Sequence, residues 1–155
     1  MNTAYLSLGA NLGNKQENLR TAIRKISERI GHVKAQSAFI QTEPWGFHSP
    51  NTFLNAALCV ETTLSPLQLL LATQQIEREL GRTNKPAIRT GKAEYADRTI
   101  DIDILLYYEG NHATPAFDPE HDWGGTIHIA TPTLTIPHPH MHERDFVLTP
   151  LKEIL

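Results

Sequence analysis

Two carboxylates interrupt what is otherwise a buried strand. Residues 97 to 108 read DRTIDIDILLYY: Ile100, Ile102, Ile104, Leu105 and Leu106 suit the interior of a sheet, yet Asp101 and Asp103 sit among them. In an extended chain successive side chains point to opposite faces, so the three isoleucines share one face while Thr99, Asp101 and Asp103 share the other. Residues two apart in a strand are separated by roughly 6.5 Å, where two carboxylates repel by about 2 to 3 kcal/mol at an effective dielectric near ~20. Something positive must offset that: Arg98 or another Lys or Arg, a hard cation such as Mg²⁺, or a proton on one carboxylate.

The segment before this strand gathers Arg82, Lys85, Arg89, Lys92 and Arg98 without apolar periodicity, which reads as a mobile basic loop. Cations upstream of two same-face carboxylates suit phosphoryl transfer, where divalent ions bridge phosphate oxygens and guanidinium groups neutralise developing charge. The alternative is a sheet end whose aspartates pair with Arg98 and solvent. Gln74 and Glu77, three apart on a helical stretch and off its apolar stripe, could face a ligand together or belong to the solvated face. The turn GANLGN follows a strand and opens a helix, but lacks the Gly-Lys-Ser/Thr ending of a phosphate loop and reads as structural. IPHPHMHER spaces His138, His140 and His142 at alternate positions, so an extended chain would turn three imidazoles one way, as a transition-metal site requires. One histidine acting with Arg144 on phosphates is the other use. In TEPWGF, Trp45 and Phe47, followed by Phe53 and Asn55, suit a flat heteroaromatic ligand or plain core anchoring.

The elements that must position these residues follow from periodicity. Thr3 to Leu8 reads as a strand; Asn14 with Glu17 caps a helix whose stripe is Leu19, Ile23, Ile26 and Ile30, stopped by Gly31. Val33 to Thr42 and Phe53 to Thr62 read as strands, and Ser65, Pro66 and Gln68 open a second helix with the stripe Leu69, Ala72, Ile76 and Leu80 before Gly81. The aspartate strand runs from Thr99 to Tyr108, and residues 109 to 132 form a surface insertion with a short strand near Thr126 to Ala130. The tail begins extended and ends in a short helix around Glu143 to Leu148. Strand, helix, strand, strand, helix, strand is the ferredoxin-like α+β pattern, a βαββαβ antiparallel sheet with helices on one face, here with the insertion and C-terminal additions. At 155 residues, 40% hydrophobic, residues 1–155 form a single domain able to bury its own core. A net charge of −3 gives no reason to expect nucleic-acid binding, and the lack of a long apolar run predicts a soluble cytoplasmic protein off the membrane. Cys59, the only cysteine, has no disulfide partner in the chain and reads as a small core residue.

Taken together, YLSLGANLGN, TEPWGF, FLNAAL, QQIERELGR, DRTIDIDILLY and LTIPHPHMHERDFVLTPL, in this order, resemble the 6-hydroxymethyl-7,8-dihydropterin pyrophosphokinase family over nearly the whole chain. The resemblance implies an enzyme that moves diphosphate from MgATP to a pterin alcohol, releasing AMP in folate biosynthesis, as a monomer or homodimer. By the same resemblance Asp101 and Asp103 hold two Mg²⁺ ions, which answers their repulsion. Arg82 and Arg98 act on the phosphates as catalytic residues. Gln74, Glu77, Ile104, Thr135, His138 and Arg144 join them in the ATP site. Thr42, Pro44, Trp45, Phe53, Asn55, Tyr95, Asp101 and Phe146 line the pterin pocket, with Tyr95 standing near a lid aromatic. Two rivals remain: a non-enzymatic metal binder using His138, His140, His142 and His121 or His128, and a catalytically dead relative that binds pterin only.

Overall fold

The computed structural model describes residues 1–43, 52–81, 99–110 and 115–155, the His142 side chain apart. Strand β1 (Asn2–Ala10) leads into α1 (Lys15–Arg29), and the Asn14 side chain accepts the Glu17 N–H at 3.2 Å, so the cap is made as its residue type demands. Leu19, Ala22 and Ile26 are the buried face of this helix. Gly31 follows as the first residue of β2 (Gly31–Gln36), and its role is close approach: a Cβ there would run into the backbone carbonyl of Glu61 on the neighbouring strand.

The predicted strand from Val33 to Thr42 is two strands, β2 and β3 (Ile40–Thr42), both paired with β4 (Phe53–Thr62). Ser37 makes the break. Its N–H donates to the Ala57 carbonyl at 2.9 Å while its hydroxyl accepts the Ala57 N–H at 2.8 Å, so a side chain substitutes for a ladder acceptor. Helix α2 (Pro66–Glu79) opens with a complete capping box between Ser65 and Gln68, with Pro66 in the first turn, and ends before Gly81, whose φ of 97° needs glycine.

Strand β5 (Asp101–Tyr108) completes an antiparallel sheet of order β2-β4-β1-β5, with β3 also on β4. With α1 and α2 joining these strands, that order is the ferredoxin-like one. One apolar cluster lies between sheet and helices, joining Leu6, Leu8, Leu19, Ile26, Leu58, Leu69, Ile76, Ile102 and Ile104. A β-bulge at Leu105 interrupts the register, since Tyr5 faces Leu106 and Leu6 faces Ile104. The bulge turns Leu106 and Tyr108 to the far side of the sheet, where they join Tyr5, Cys59, Trp123, Met141, Val147 and Leu151 in a second cluster.

That second cluster corrects two expectations. The 109–132 insertion is more than surface, because Trp123, in the short left-handed turn α3 (Asp122–Gly125), is buried and its carbonyl accepts the Tyr108 hydroxyl at 2.6 Å. The C-terminal helix α4 (Asp145–Ile154) starts later and runs longer than predicted, burying Val147, Pro150 and Leu151. Short strands β6 (Ile129–Ala130) and β7 (Thr135–Ile136) form a separate hairpin, the former inside the predicted stretch. Among the described residues no helix is long and apolar enough to cross a membrane.

Candidate active site

The sheet register collects the site. Gly9 faces Asn55 on one side and Asp101 on the other, and Ser7 faces Ala57 and Asp103, so these residues form two adjacent rows across β4, β1 and β5. Alternation places them on the face turned away from α1 and α2, beyond the polar end of the second apolar cluster. Asp101 and Asp103 thus occupy one face of an edge strand, as the sequence predicts, and both are partly exposed. Two oxygen-donor side chains side by side on one face are the donor chemistry of a hard divalent cation, and these two residues would hold it. Among the described residues no three His, Cys, Asp or Glu side chains gather as a protein-only metal site. Mg²⁺ tolerates that, because it takes waters and phosphate oxygens to complete its shell.

His138 reaches this corner through its backbone, whose N–H donates to the Leu105 carbonyl at 3.0 Å, at the bulge. Burial holds its imidazole below the usual histidine value, the Asp103 carboxylate draws it back up, Arg144 pushes it down, and Asp101 and His140 pull in opposite senses. The Ile136–Pro137 peptide bond just before it is cis. Arg144, only 7% exposed, immediately precedes α4, with its guanidinium carbon 5.8 Å from the centroid of the Phe146 ring. The three histidines do not share an extended strand. After His138 the chain turns, Met141–Glu143 is a 3₁₀ turn, and His140 pairs with Glu143 at 3.3 Å. His121 pairs with Asp118 and His128 with Asp122, each in the insertion.

A second group lies at the β3–β4 end. The Asn55 amide donates to the Thr42 hydroxyl at 2.6 Å and the Ile40 carbonyl at 3.4 Å, and Asn55 is 3% exposed. Its carbonyl oxygen looks over Gly9: a Cβ on Gly9 would meet Asn55 Oδ1 at 3.1 Å and the Phe53 ring at 3.7 Å. The sequence places Gly9 in the structural turn GANLGN, whereas β1 runs on through it to Ala10. Its only signal there was its position at the end of an apolar strand, which looked like turn chemistry. Lys15 was also missed; its ammonium donates to the Thr52 carbonyl at 3.1 Å and hydroxyl at 3.2 Å, and Gln41 holds the same hydroxyl at 2.9 Å, fixing the residue before Phe53.

Of the other predicted residues, Thr135 lies in β7 and Phe146 packs against the second cluster, while Ile104 is buried in the first. Gln74 is half-buried on α2. Glu77 corrects the helix reading: it shares the buried side of α2 with Thr73 and Ile76 instead of facing away from it. Pro44, Trp45, Phe47, Arg82, Lys85, Arg89, Lys92, Tyr95 and Arg98 lie outside the described residues.

A ferredoxin-like sheet with paired edge-strand carboxylates near a half-buried imidazole and a buried guanidinium defines an α+β protein with oxygen donors and cationic groups gathered at one corner. Comparison with known proteins is specific. Residues 5–155 match the family model of 7,8-dihydro-6-hydroxymethylpterin-pyrophosphokinase (HPPK). A 2-amino-4-hydroxy-6-hydroxymethyldihydropteridine pyrophosphokinase of Porphyromonas gingivalis is 42% identical over 154 residues, covering 99% of this chain and 91% of the relative. Its Bacillus subtilis (strain 168) counterpart is 38% identical, with 99% and 78% covered. The solved Plasmodium falciparum HPPK-DHPS with pterin and p-hydroxybenzoate shares the fold at a TM-score of 0.66 and 18% identity; the match covers 99% of this chain and 39% of that longer one. The chain belongs to the HPPK family.

Proposed function

We infer that this chain transfers diphosphate from ATP to the hydroxymethyl group of 6-hydroxymethyl-7,8-dihydropterin, yielding the pterin diphosphate and AMP in folate biosynthesis. The observation that carries the reading is the family match over residues 5–155, which includes the Asp101–Asp103 pair at the open end of the sheet. Residues 1–155 act as one pyrophosphokinase domain in the cytoplasm, as a monomer or a homodimer.

The pterin hydroxyl oxygen attacks the β-phosphorus in line and gives up its proton to water, the bond from that phosphorus to the oxygen bridging to the α-phosphate breaks, and AMP departs with that oxygen. Asp101 and Asp103 would hold two Mg²⁺ ions, which would neutralise charge on the phosphate oxygens. Arg144 and His138 border the same phosphates, and the neutral imidazole favoured by burial offers a hydrogen bond without adding a fixed charge. Arg82 and Arg98 act as the catalytic cations, while Gln74 and Thr135 belong to the nucleotide end. Asn55 reads the pterin edge with an amide already oriented by Thr42, over the open floor at Gly9, with Phe53, Phe146, Pro44, Trp45 and Tyr95 around the ring. Positioning and charge neutralisation supply most of the acceleration in such transfers, so no strong base is needed.

The test is AMP release from MgATP with and without the pterin, for wild type and for Asp101→Ala with Asp103→Ala. Pterin-dependent AMP in the wild type, lost by ~10³-fold or more in the double variant, is expected from several kcal/mol of metal-borne stabilisation. No AMP from folded wild type at saturating substrates overturns the reading.

A further inference from the structure

We propose that Glu77 is a positioning residue for the aspartate pair: its buried carboxylate fixes the backbone of Ile102 and so sets where Asp101 and Asp103 present their oxygens. The proposal rests on the function just inferred, and the observation behind it is independent of the family match. Glu77 Oε2 accepts the Ile102 N–H at 2.9 Å, and the residue is 2% exposed. Ile102 is the residue between the two aspartates.

Among the described residues β5 is the outer strand of the sheet, with β1 as its one sheet neighbour. Backbone groups that turn away from β1 need other partners. Further along β5 these come from backbone and a hydroxyl: the Leu105 carbonyl accepts the His138 N–H, and the Tyr107 N–H and carbonyl are met by the Thr126 hydroxyl and the Ile127 N–H. At Ile102 alone among these the partner is an acidic side chain, reaching from α2.

That choice breaks two local rules. An acid in the last turn of a helix opposes the helix dipole, and a carboxylate closed off from water is costly unless strongly hydrogen-bonded. A neutral acceptor would satisfy the N–H without either cost. What the carboxylate adds is a charge-assisted bond from a rigid helix, plus negative potential behind two groups meant to hold cations. The Ile102 side chain is locked into the first apolar cluster with Ile76, one residue before Glu77, so backbone and side chain of Ile102 are both tied to α2. With that residue pinned, the aspartates on either side have little freedom to splay.

The experiment compares Glu77→Gln, which keeps an oxygen acceptor for Ile102, with Glu77→Leu, which removes it. Two quantities are read on the full chain: amide hydrogen exchange at Ile102 by NMR without substrates, and Mn²⁺ affinity with ATP present by electron paramagnetic resonance. Glu77→Leu is expected to speed Ile102 exchange at least about tenfold, with Leu6 and Val60 unchanged, and to weaken Mn²⁺ binding about 10- to 100-fold. Glu77→Gln is expected to stay within about threefold of wild type in Ile102 exchange and to lose part of the Mn²⁺ affinity, less than Glu77→Leu loses. Wild-type exchange and Mn²⁺ affinity in Glu77→Leu overturn the proposal. Equal weakening of Mn²⁺ affinity in both variants with Ile102 still protected also overturns it. Should Glu77→Leu fail to fold, Glu77→Asp takes its place: the shorter side chain is expected to lose both properties, and retaining them overturns the proposal. Absence of AMP release in the wild type sinks the enzymatic reading alone, since exchange and Mn²⁺ affinity still decide the role of Glu77.

Discussion

On the helix-covered face, β1 and β5 contribute Leu6, Leu8, Ile102 and Ile104, all closed off by α1 and α2; on the other face the same strands contribute Ser7, Gly9, Asp101 and Asp103. The backbone is common to both rows. Alternation separates the residues that hold the fold from those proposed to do the chemistry, so, the Glu77–Ile102 tie apart, each set can be altered with little demand on the other. The largest effects should therefore fall on different measurements. Asp103→Ala is expected to abolish pterin-dependent AMP release by ~10³-fold while the chain stays folded by circular dichroism. Leu6→Ala, at a position with no exposed surface, is expected to cost about 2 to 5 kcal/mol of stability by denaturant titration while the folded fraction keeps its affinity for ATP. If Asp103→Ala unfolds the chain, the two faces are not separable.

Two glycines sharpen the same contrast. Gly31→Ala drives a Cβ into the Glu61 backbone at the outer edge, so a loss of about 1 to 3 kcal/mol or more in stability is expected, with the Michaelis constant for pterin unchanged. Gly9→Ala places its Cβ 3.1 Å from Asn55 Oδ1, an atom proposed to read the pterin. There the expected outcome is a Michaelis constant for pterin raised about tenfold, on the order of 1.4 kcal/mol, with little change in melting temperature. Equal effects of both substitutions on stability would assign Gly9 to packing.

What the sequence could reveal was the local part of this arrangement. Asn14 with Glu17, and Ser65 with Gln68, are contacts three residues apart, and residue type alone specifies them. The alternation in residues 100–104 was legible for the same reason, and with it the shared face of the two aspartates. Glu77 was misread because its partner, Ile102, lies 25 residues away, and a buried acid looks like surface until the tertiary contact is known. The bulge at Leu105 and the break at Ser37 depend on register with other strands. Trp123 was hidden in a stretch of turn formers; with Asp122 it adopts a left-handed backbone, φ 54° and 52°, that composition does not announce. The residues of the proposed pterin and ATP sites came largely through family resemblance, because side chains recruited from five or more elements leave no single spacing.

The far face is itself divided, polar near Asp101 and apolar near Cys59, and the thiol reports on that boundary. Cys59 is 3% exposed, and burial pushes its thiol up, with the neighbouring Tyr5 hydroxyl partly opposing the shift. Since the thiolate is the reactive form, labelling by a disulfide reagent at pH 8 is expected to be at least about tenfold slower in the native chain than in urea. Native labelling at the unfolded rate would mean that the second cluster is open beside the site.

The smallest effect belongs to the helix side, at the surface. Glu79 on α2 is met by Lys25 at 2.9 Å and by Arg29, both on α1, and these contacts hold its carboxyl well down, to about 2. A depressed carboxyl stabilises the fold above the ordinary carboxylate value, and that contribution is lost as pH falls through the folded value. The stability difference between wild type and Glu79→Gln should therefore be full at neutral pH and close as pH drops from 4.5 toward about 2. Because the trio is solvent-exposed, the difference should be small and shrink further in 1 M salt, where the screening length is about 3 Å. Thermal melts of both proteins against pH and salt measure it, with AMP release as the control. A change in activity from Glu79→Gln would couple the helix surface to the site face and break the separation from which these comparisons start.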